Sequence, residues 1–160
     1  MRVVGWHQTR AMSDFDFLYG TWSIENRRLR EPLSGSSEWY EFPSKKTCWP
    51  LLGGVGNIDE IDFPTTGTKG MTLRLFDQAR KEWSLYWSNS QTGVLFPPVT
   101  GRFENGRGEF FGDDMHGEIP VRVRFSWSEI TPTSALWEQA YSTDGDQWET
   151  NWSMRFARTS

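Results

Sequence analysis

Apolar and polar residues alternate in short runs along most of the chain, and turn signals break the runs about every ten residues. No window sustains apolar positions at helical spacing. The pattern predicts an all-β protein, an up-and-down antiparallel β-barrel of about ten strands. The strands fall near 19 to 29, 38 to 50, 55 to 63, 70 to 76, 83 to 89, 94 to 103, 107 to 115, 119 to 128, 134 to 142 and 147 to 157. One helical turn is expected at SDFDFLY, with Ser13 as its cap and Gly20 releasing the chain into the first strand. The pattern begins just after Met12, so residues 1–12 read as a flexible extension, with no role for His7, ahead of one domain over residues 13–160.

Hairpins suggest which faces turn inward. Asn105-Gly106 suits a type I′ turn and sets Glu104 against Arg107, Arg102 against Glu109 and Gly101 against Phe110. A two-residue turn at His116-Gly117 would set Phe110 against Val123 and Glu109 against Arg124. Val99, Phe110 and Val123 then share an apolar face, while Arg102, Glu109 and Arg124 form a charged row on the other. A four-residue loop, Thr143 to Asp146, would pair Tyr141 with Trp148 and Trp137 with Trp152, leaving Glu138 and Asn151 outside. Two registers stay open: that of FDQARKEW, and whether the face carrying Arg124 and Glu138 turns outward or into the barrel as a buried acid with its partners.

Composition narrows the function classes. Aromatic residues are 16% of the chain, ten of them Trp, so the apolar mass lies in a few large rings that favour strands. A net charge of −4 leaves no diffuse positive field for a phosphate backbone, which argues against nucleic acid as a partner. Cys48 is the only cysteine, so neither an intrachain disulfide nor a multi-thiolate metal site is available. It reads as a small core residue. No run approaches the roughly 20 apolar residues of a membrane helix, and the N-terminal stretch lacks a signal-peptide core, so a cytoplasmic protein without a membrane partner is expected. LLGGVGN lacks the Gly-Lys-Ser/Thr of a phosphate loop and reads as a hairpin turn.

FDFLYGTWSIENRRL carries a short turn, Gly20-x-Trp22 and an alternating strand. This opening resembles that of the calycins, the lipocalin-like β-barrels. The resemblance implies that Trp22 plugs the closed end and that a late Arg, Arg155 or Arg158, covers it. With LLGGVGNIDE, GMTLRLFD, GDDMHGEIPVRVRF and WEQAYSTDGDQWETNW, the chain resembles a group of bacterial calycin-like proteins that offers no activity to carry over. The glycine-rich strand and late proximal His of the haem-binding nitrobindins are missing, which argues against a haem role.

An even number of strands returns the chain to the end where Trp22 sits, and the longer connections gather at the opposite end as a mouth. Alternation sends Ile24, Asn26 and Arg28 up the inner wall and puts Asp114 and His116 on the lumen side of the rim, with Tyr141 and Asn89 nearby. Trp87, Phe125, Trp137, Tyr141 and Trp152 are expected to line a pocket. The first functional reading is a binder of a small, largely apolar or aromatic molecule, with Arg28 and His116 orienting a polar end at the mouth. The alternative is a cofactor-free cyclase, isomerase or hydrolase using His116 and Asp114 as an acid–base pair. Neither reading calls for a cofactor, and one plausible His falls short of a zinc site. A third reading is a structural or partner-binding module with a filled barrel. Under any of the three, the exposed aromatic and Pro-rich segment VLFPPV could cover a second subunit, a possible homodimer.

Overall fold

The computed structural model describes residues 13–160; the extension assigned to residues 1–12, His7 included, lies outside the described residues. Ten antiparallel strands form a closed barrel: β1 (Gly20–Leu29), β2 (Trp39–Leu51), β3 (Gly56–Phe63), β4 (Thr68–Asp77), β5 (Glu82–Asn89), β6 (Val99–Glu104), β7 (Arg107–His116), β8 (Ile119–Ser128), β9 (Ser134–Ser142) and β10 (Glu149–Arg158). Each strand pairs with its neighbours in sequence, and β10 returns to pair with β1, Trp22 lying opposite Arg158. Closure removes the free edges that an open sheet would expose. Among the described residues no helix is long and apolar enough to cross a membrane.

Strand order and the Asn105-Gly106 register are as expected, whereas two other hairpin registers, the start of β6 and the cap of the entry turn differ for physical reasons. Asn105 and Gly106 both have positive φ, as a type I′ turn requires, and Glu104, Arg102 and Gly101 meet Arg107, Glu109 and Phe110. The next turn is Gly117-Glu118, not His116-Gly117. Only Gly117 has positive φ there, so His116 stays extended as the last residue of β7 and pairs with Ile119. The ladder therefore shifts by two: Phe110 faces Phe125, Gly112 faces Val123, and Arg124 faces Phe111 instead of Glu109. A shift of two preserves the faces, and Val99, Phe110 and Val123 are all buried.

The strand expected over 94 to 103 begins only at Val99, because Pro97 and Pro98 have no N–H to give a ladder. Val94, Leu95 and Phe96 lie outside it and are exposed. The last hairpin has a longer loop than expected. Asp144 Oδ1 accepts the backbone N–H groups of Asp146 (2.8 Å) and Gln147 (2.9 Å), which draws both into the loop. Tyr141 consequently pairs with Glu149, not Trp148, and Trp137 with Met154, not Trp152. A bulge between Thr150 and Trp152 takes up the mismatch. Asn151, expected outside, sits in that bulge, is 1% exposed and accepts a hydrogen bond from Gln139 Nε2 at 2.9 Å. The short 3₁₀ turn before β1, Asp16–Leu18, has Phe15 at its cap position in place of Ser13, and no side-chain cap.

The FDQARKEW loop has four residues, with Asp77 opposite Glu82, which turns Phe76 and Trp83 inward. These two join Phe15, Phe110, Trp127 and Phe156 in the core of the closed end, where Phe15 meets Trp83 edge-on at 4.8 Å. Trp22 is fully buried there and donates from its indole N–H to the Leu18 carbonyl at 2.8 Å. Of the two late arginines, Arg158 covers it, its guanidinium 4.2 Å from the ring centroid, while Arg155 points outward to Glu129. Arg158 also donates to the carbonyls of Phe17, Tyr19 and Pro132, tying the entry turn and the β8–β9 loop to the end of β10.

Candidate functional site

Above this packed end the barrel is hollow. A cavity of about 620 Å³ runs from the mouth toward the middle of the barrel, lined in part by Trp87, Phe125, Trp137 and Trp152. The strand alternation that buries Trp22 and Ile24 in β1 also carries Asn26 and Arg28 inward, and both serve Trp152. Asn26 Oδ1 accepts the Trp152 indole N–H at 3.0 Å while its amide donates to Ser44 Oγ at 2.7 Å. The Arg28 guanidinium lies 4.3 Å from the centroid of Trp152, and Trp137 meets the same ring edge-on at 5.4 Å. Two hydrogen bonds and a cation–π contact thus hold one wall of the cavity in a single orientation.

The opposite wall depends on a missing side chain. Trp87 lies across Gly70 of the neighbouring strand, and a Cβ at Gly70 would come within 2.0 Å of the indole Cη2. Gly70→Ala is therefore expected to push the Trp87 ring into the lumen. An overpacking cost of about 1–3 kcal/mol should follow, with a several-fold loss of affinity for an apolar probe. Near-ultraviolet circular dichroism and probe titration of the variant check this, and unchanged spectra with unchanged affinity would contradict it.

At the mouth, Arg28, Asn89, Asp114 and Tyr141 also line the cavity. Asn89 Oδ1 accepts the N–H groups of Gln91 and Thr92, so its carbonyl is engaged in shaping the loop after β5. Burial raises the Tyr141 hydroxyl above its ordinary pKa, and the negative charge of Asp114 adds to this against the opposing effects of Arg28 and Gln139. His116 is not among the residues that line the cavity. Its ring packs against Tyr141 at 5.8 Å, and Asp114 Oδ1 accepts the backbone N–H of Met115 at 2.7 Å. Among the described residues no hydrogen bond or ion pair joins His116 to Asp114. The face carrying Arg124 and Glu138 points outward: Arg124 lies 4.7 Å from the Trp148 ring outside the barrel, while Trp137, Gln139 and Tyr141 of β9 turn in.

The feature that sequence reasoning missed lies at the bottom of the cavity. Lys46 of β2, Asp59 of β3 and Arg74 of β4 point inward from three successive strands and are almost wholly buried. Both cations meet the same carboxylate oxygen, Asp59 Oδ2, Lys46 Nζ at 3.3 Å and Arg74 Nη2 at 2.6 Å. Arg74 Nη1 also donates to Asn57 Oδ1 at 2.9 Å. Burial by itself would push the Asp59 carboxyl up, but Lys46 and Arg74 outweigh it and hold the group below the usual carboxylate range. Burial draws the Lys46 ammonium down from its ordinary value, with Asp59 opposing and Arg74 reinforcing the shift. Beside them burial pushes the Cys48 thiol up to about 11, so the protonated, unreactive form dominates near neutrality.

Among the described residues no group of three or more His, Cys, Asp and Glu side chains is placed to hold a metal ion. Fold and site together define a closed ten-stranded antiparallel barrel with an aromatic-walled cavity above a buried ionic floor. Comparison with protein-family models finds no match, and neither does comparison with curated protein sequences.

Proposed function

We propose that the barrel binds a small, largely apolar or aromatic molecule in its lumen. The observation that carries this reading is the cavity of about 620 Å³ walled by Trp87, Phe125, Trp137 and Trp152. Its size falls within the range that holds drug-sized ligands, and its lining combines large apolar rings with a few fixed polar groups. Arg28, Asn89, Asp114 and Tyr141 form the polar rim that meets the outer end of the ligand, and His116 supports that rim through Tyr141. The stacking of Arg158 on Trp22 supports the resemblance to calycins. The proposed compartment is the cytoplasm, where a single free thiol such as Cys48 remains reduced.

The test is a titration with N-phenyl-1-naphthylamine, a neutral aromatic probe, read by energy transfer from the cavity tryptophans. One saturable site is expected, weakened at least about fivefold by Trp152→Ala, which removes the ring held by Asn26 and Arg28. Absence of saturable transfer, or an unaltered affinity in Trp152→Ala, would remove the lumen as the binding site.

A further inference from the structure

Charge balance at the cavity floor points to the chemistry of the ligand. With Lys46 protonated, it and Arg74 carry two positive charges against one negative on Asp59, an excess of one positive charge among buried groups. Both cations line the cavity, whereas Asp59 is wholly buried and does not. The excess charge therefore faces the lumen. It is poorly solvated there: Lys46 Nζ lies 5.0 Å from the Phe156 ring centroid and 5.8 Å from that of Trp127. Arg74, which lines the cavity, has a buried Nε donor without a hydrogen-bond partner among the described residues; Asn57 Nδ2 and Asp59 Oδ1 are also unpaired, but neither of those residues lines the cavity. Buried charge is costly unless paired, and unpaired buried donors are rare.

A bound anion would correct the charge imbalance and give these cations a further partner. We propose that Lys46 and Arg74 form an anion seat at the lumen floor, which takes the carboxylate of a monocarboxylic acid whose apolar body lies along the aromatic wall. This rests on the reading of the lumen as a ligand cavity, and adds the charge and the orientation of the ligand. One excess positive charge is matched by one carboxylate; a phosphate dianion would overshoot it and cost more to desolvate. A guanidinium beside an ammonium suits a carboxylate in a low-dielectric site, where charge-assisted hydrogen bonds are strongest. The acid enters head first, which reverses the orientation expected from the sequence: its polar end lies at the floor and its apolar end, not its head, lies toward Arg28 and the mouth.

Laurate, dodecanol and methyl laurate, which share a chain and differ in the head, test the seat by displacement of N-phenyl-1-naphthylamine below micellar concentrations. Laurate is expected to bind at least about tenfold more tightly than dodecanol or the ester, as charge-assisted pairing predicts. In Lys46→Met, which keeps the neutral Arg74–Asp59 pair, the preference should fall to about twofold or less. In Arg28→Met all three probes should weaken alike, with the preference intact. Equal binding of acid and alcohol, a preference that survives Lys46→Met, or one that disappears in Arg28→Met would each overturn the seat while leaving the cavity reading in place. Failure of all three probes to bind would overturn both.

Carbon-13 spectra of carboxyl-labelled laurate bound to the wild type give a second readout that no variant can confound. Bound between Lys46 and Arg74, the carboxylate should stay ionised well below the ordinary carboxyl range of about 4. A bound signal that titrates at the free acid's pH would sink the proposal.

Discussion

Asp59→Asn is expected to lower the unfolding free energy by about 3–5 kcal/mol, the cost typical of breaking a buried ion pair from one side. For a chain of this size that corresponds to a fall in midpoint temperature on the order of 10 °C. The substitution keeps the shape of Asp59 but leaves Lys46 and Arg74 buried with no acid between them. The wild-type carboxyl, held below its unfolded value, contributes stability that is present above about pH 4 and lost as pH falls through its folded pKa. In the variant that acid-side contribution is gone. Lys46, already drawn down by burial, also loses the partner that pulled it back up. A lysine whose folded pKa lies below its unfolded value destabilises the fold at low pH, and the penalty fades as pH rises toward about 10. Urea denaturation at about pH 5, 7 and 9 should therefore show the variant recovering part of its deficit on the alkaline side. A deficit under about 1 kcal/mol, or one that does not change with pH, would mean that the three charges do not act as a unit. Lys46→Met provides the contrast, since the remaining pair is neutral and the new side chain apolar; stability within about 1 kcal/mol of wild type, or above it, is expected.

Trp22→Ala should cost about as much by a different route, about 3–5 kcal/mol for deleting a large buried ring. Trp22 is fully buried at the closed end, packs against Phe156 at 5.7 Å and supplies the face on which Arg158 lies. Its removal opens a void beneath the guanidinium and frees the Leu18 carbonyl from the indole N–H. Arg158→Met removes the cation and its hydrogen bonds to the carbonyls of Phe17, Tyr19 and Pro132. The double variant should lose less than the sum of the two, because the ring and the guanidinium share one contact. Chemical denaturation of the four-member cycle measures this, and strict additivity would show that the stacking of Arg158 on Trp22 adds nothing of its own.

The barrel was legible because alternation and turn chemistry agree along most of the chain. Gly20-x-Trp22, Asn105-Gly106 and the even strand count each identify a piece that the closed sheet requires. Errors arose where a side chain or a proline overrides the turn rule. Asp144 lengthens the last loop and forces the bulge at Asn151, and Pro97 with Pro98 delays β6. The aromatic wall follows from parity alone, which places Trp87, Phe125, Trp137, Tyr141 and Trp152 on the lining. The ionic floor does not. In GNIDEIDF the inward residues are Asn57, Asp59, Ile61 and Phe63, so half of that face carries the polarity of a solvated one. Taken singly, Lys46, Asp59 and Arg74 look like surface charges. Only the pairing of β2, β3 and β4, with Cys48 opposite Asp59 and Asn57 opposite Arg74, reveals them as neighbours.

Pairing of β1 with β10 has a consequence for biosynthesis. The partner that closes the sheet against Gly20–Leu29 is Glu149–Arg158, and the cation that seals Trp22 is the last residue of that strand. Until residue 158 has cleared the ribosome, the nascent chain can form only an open sheet with two unpaired edges, β1 and β9, and no plug over its aromatic base. Such a sheet can pair with a neighbouring nascent chain as readily as with itself. A polysome translating this message would thus hold several open barrels side by side, and the yield of monomeric product should depend on how quickly the last strand is delivered.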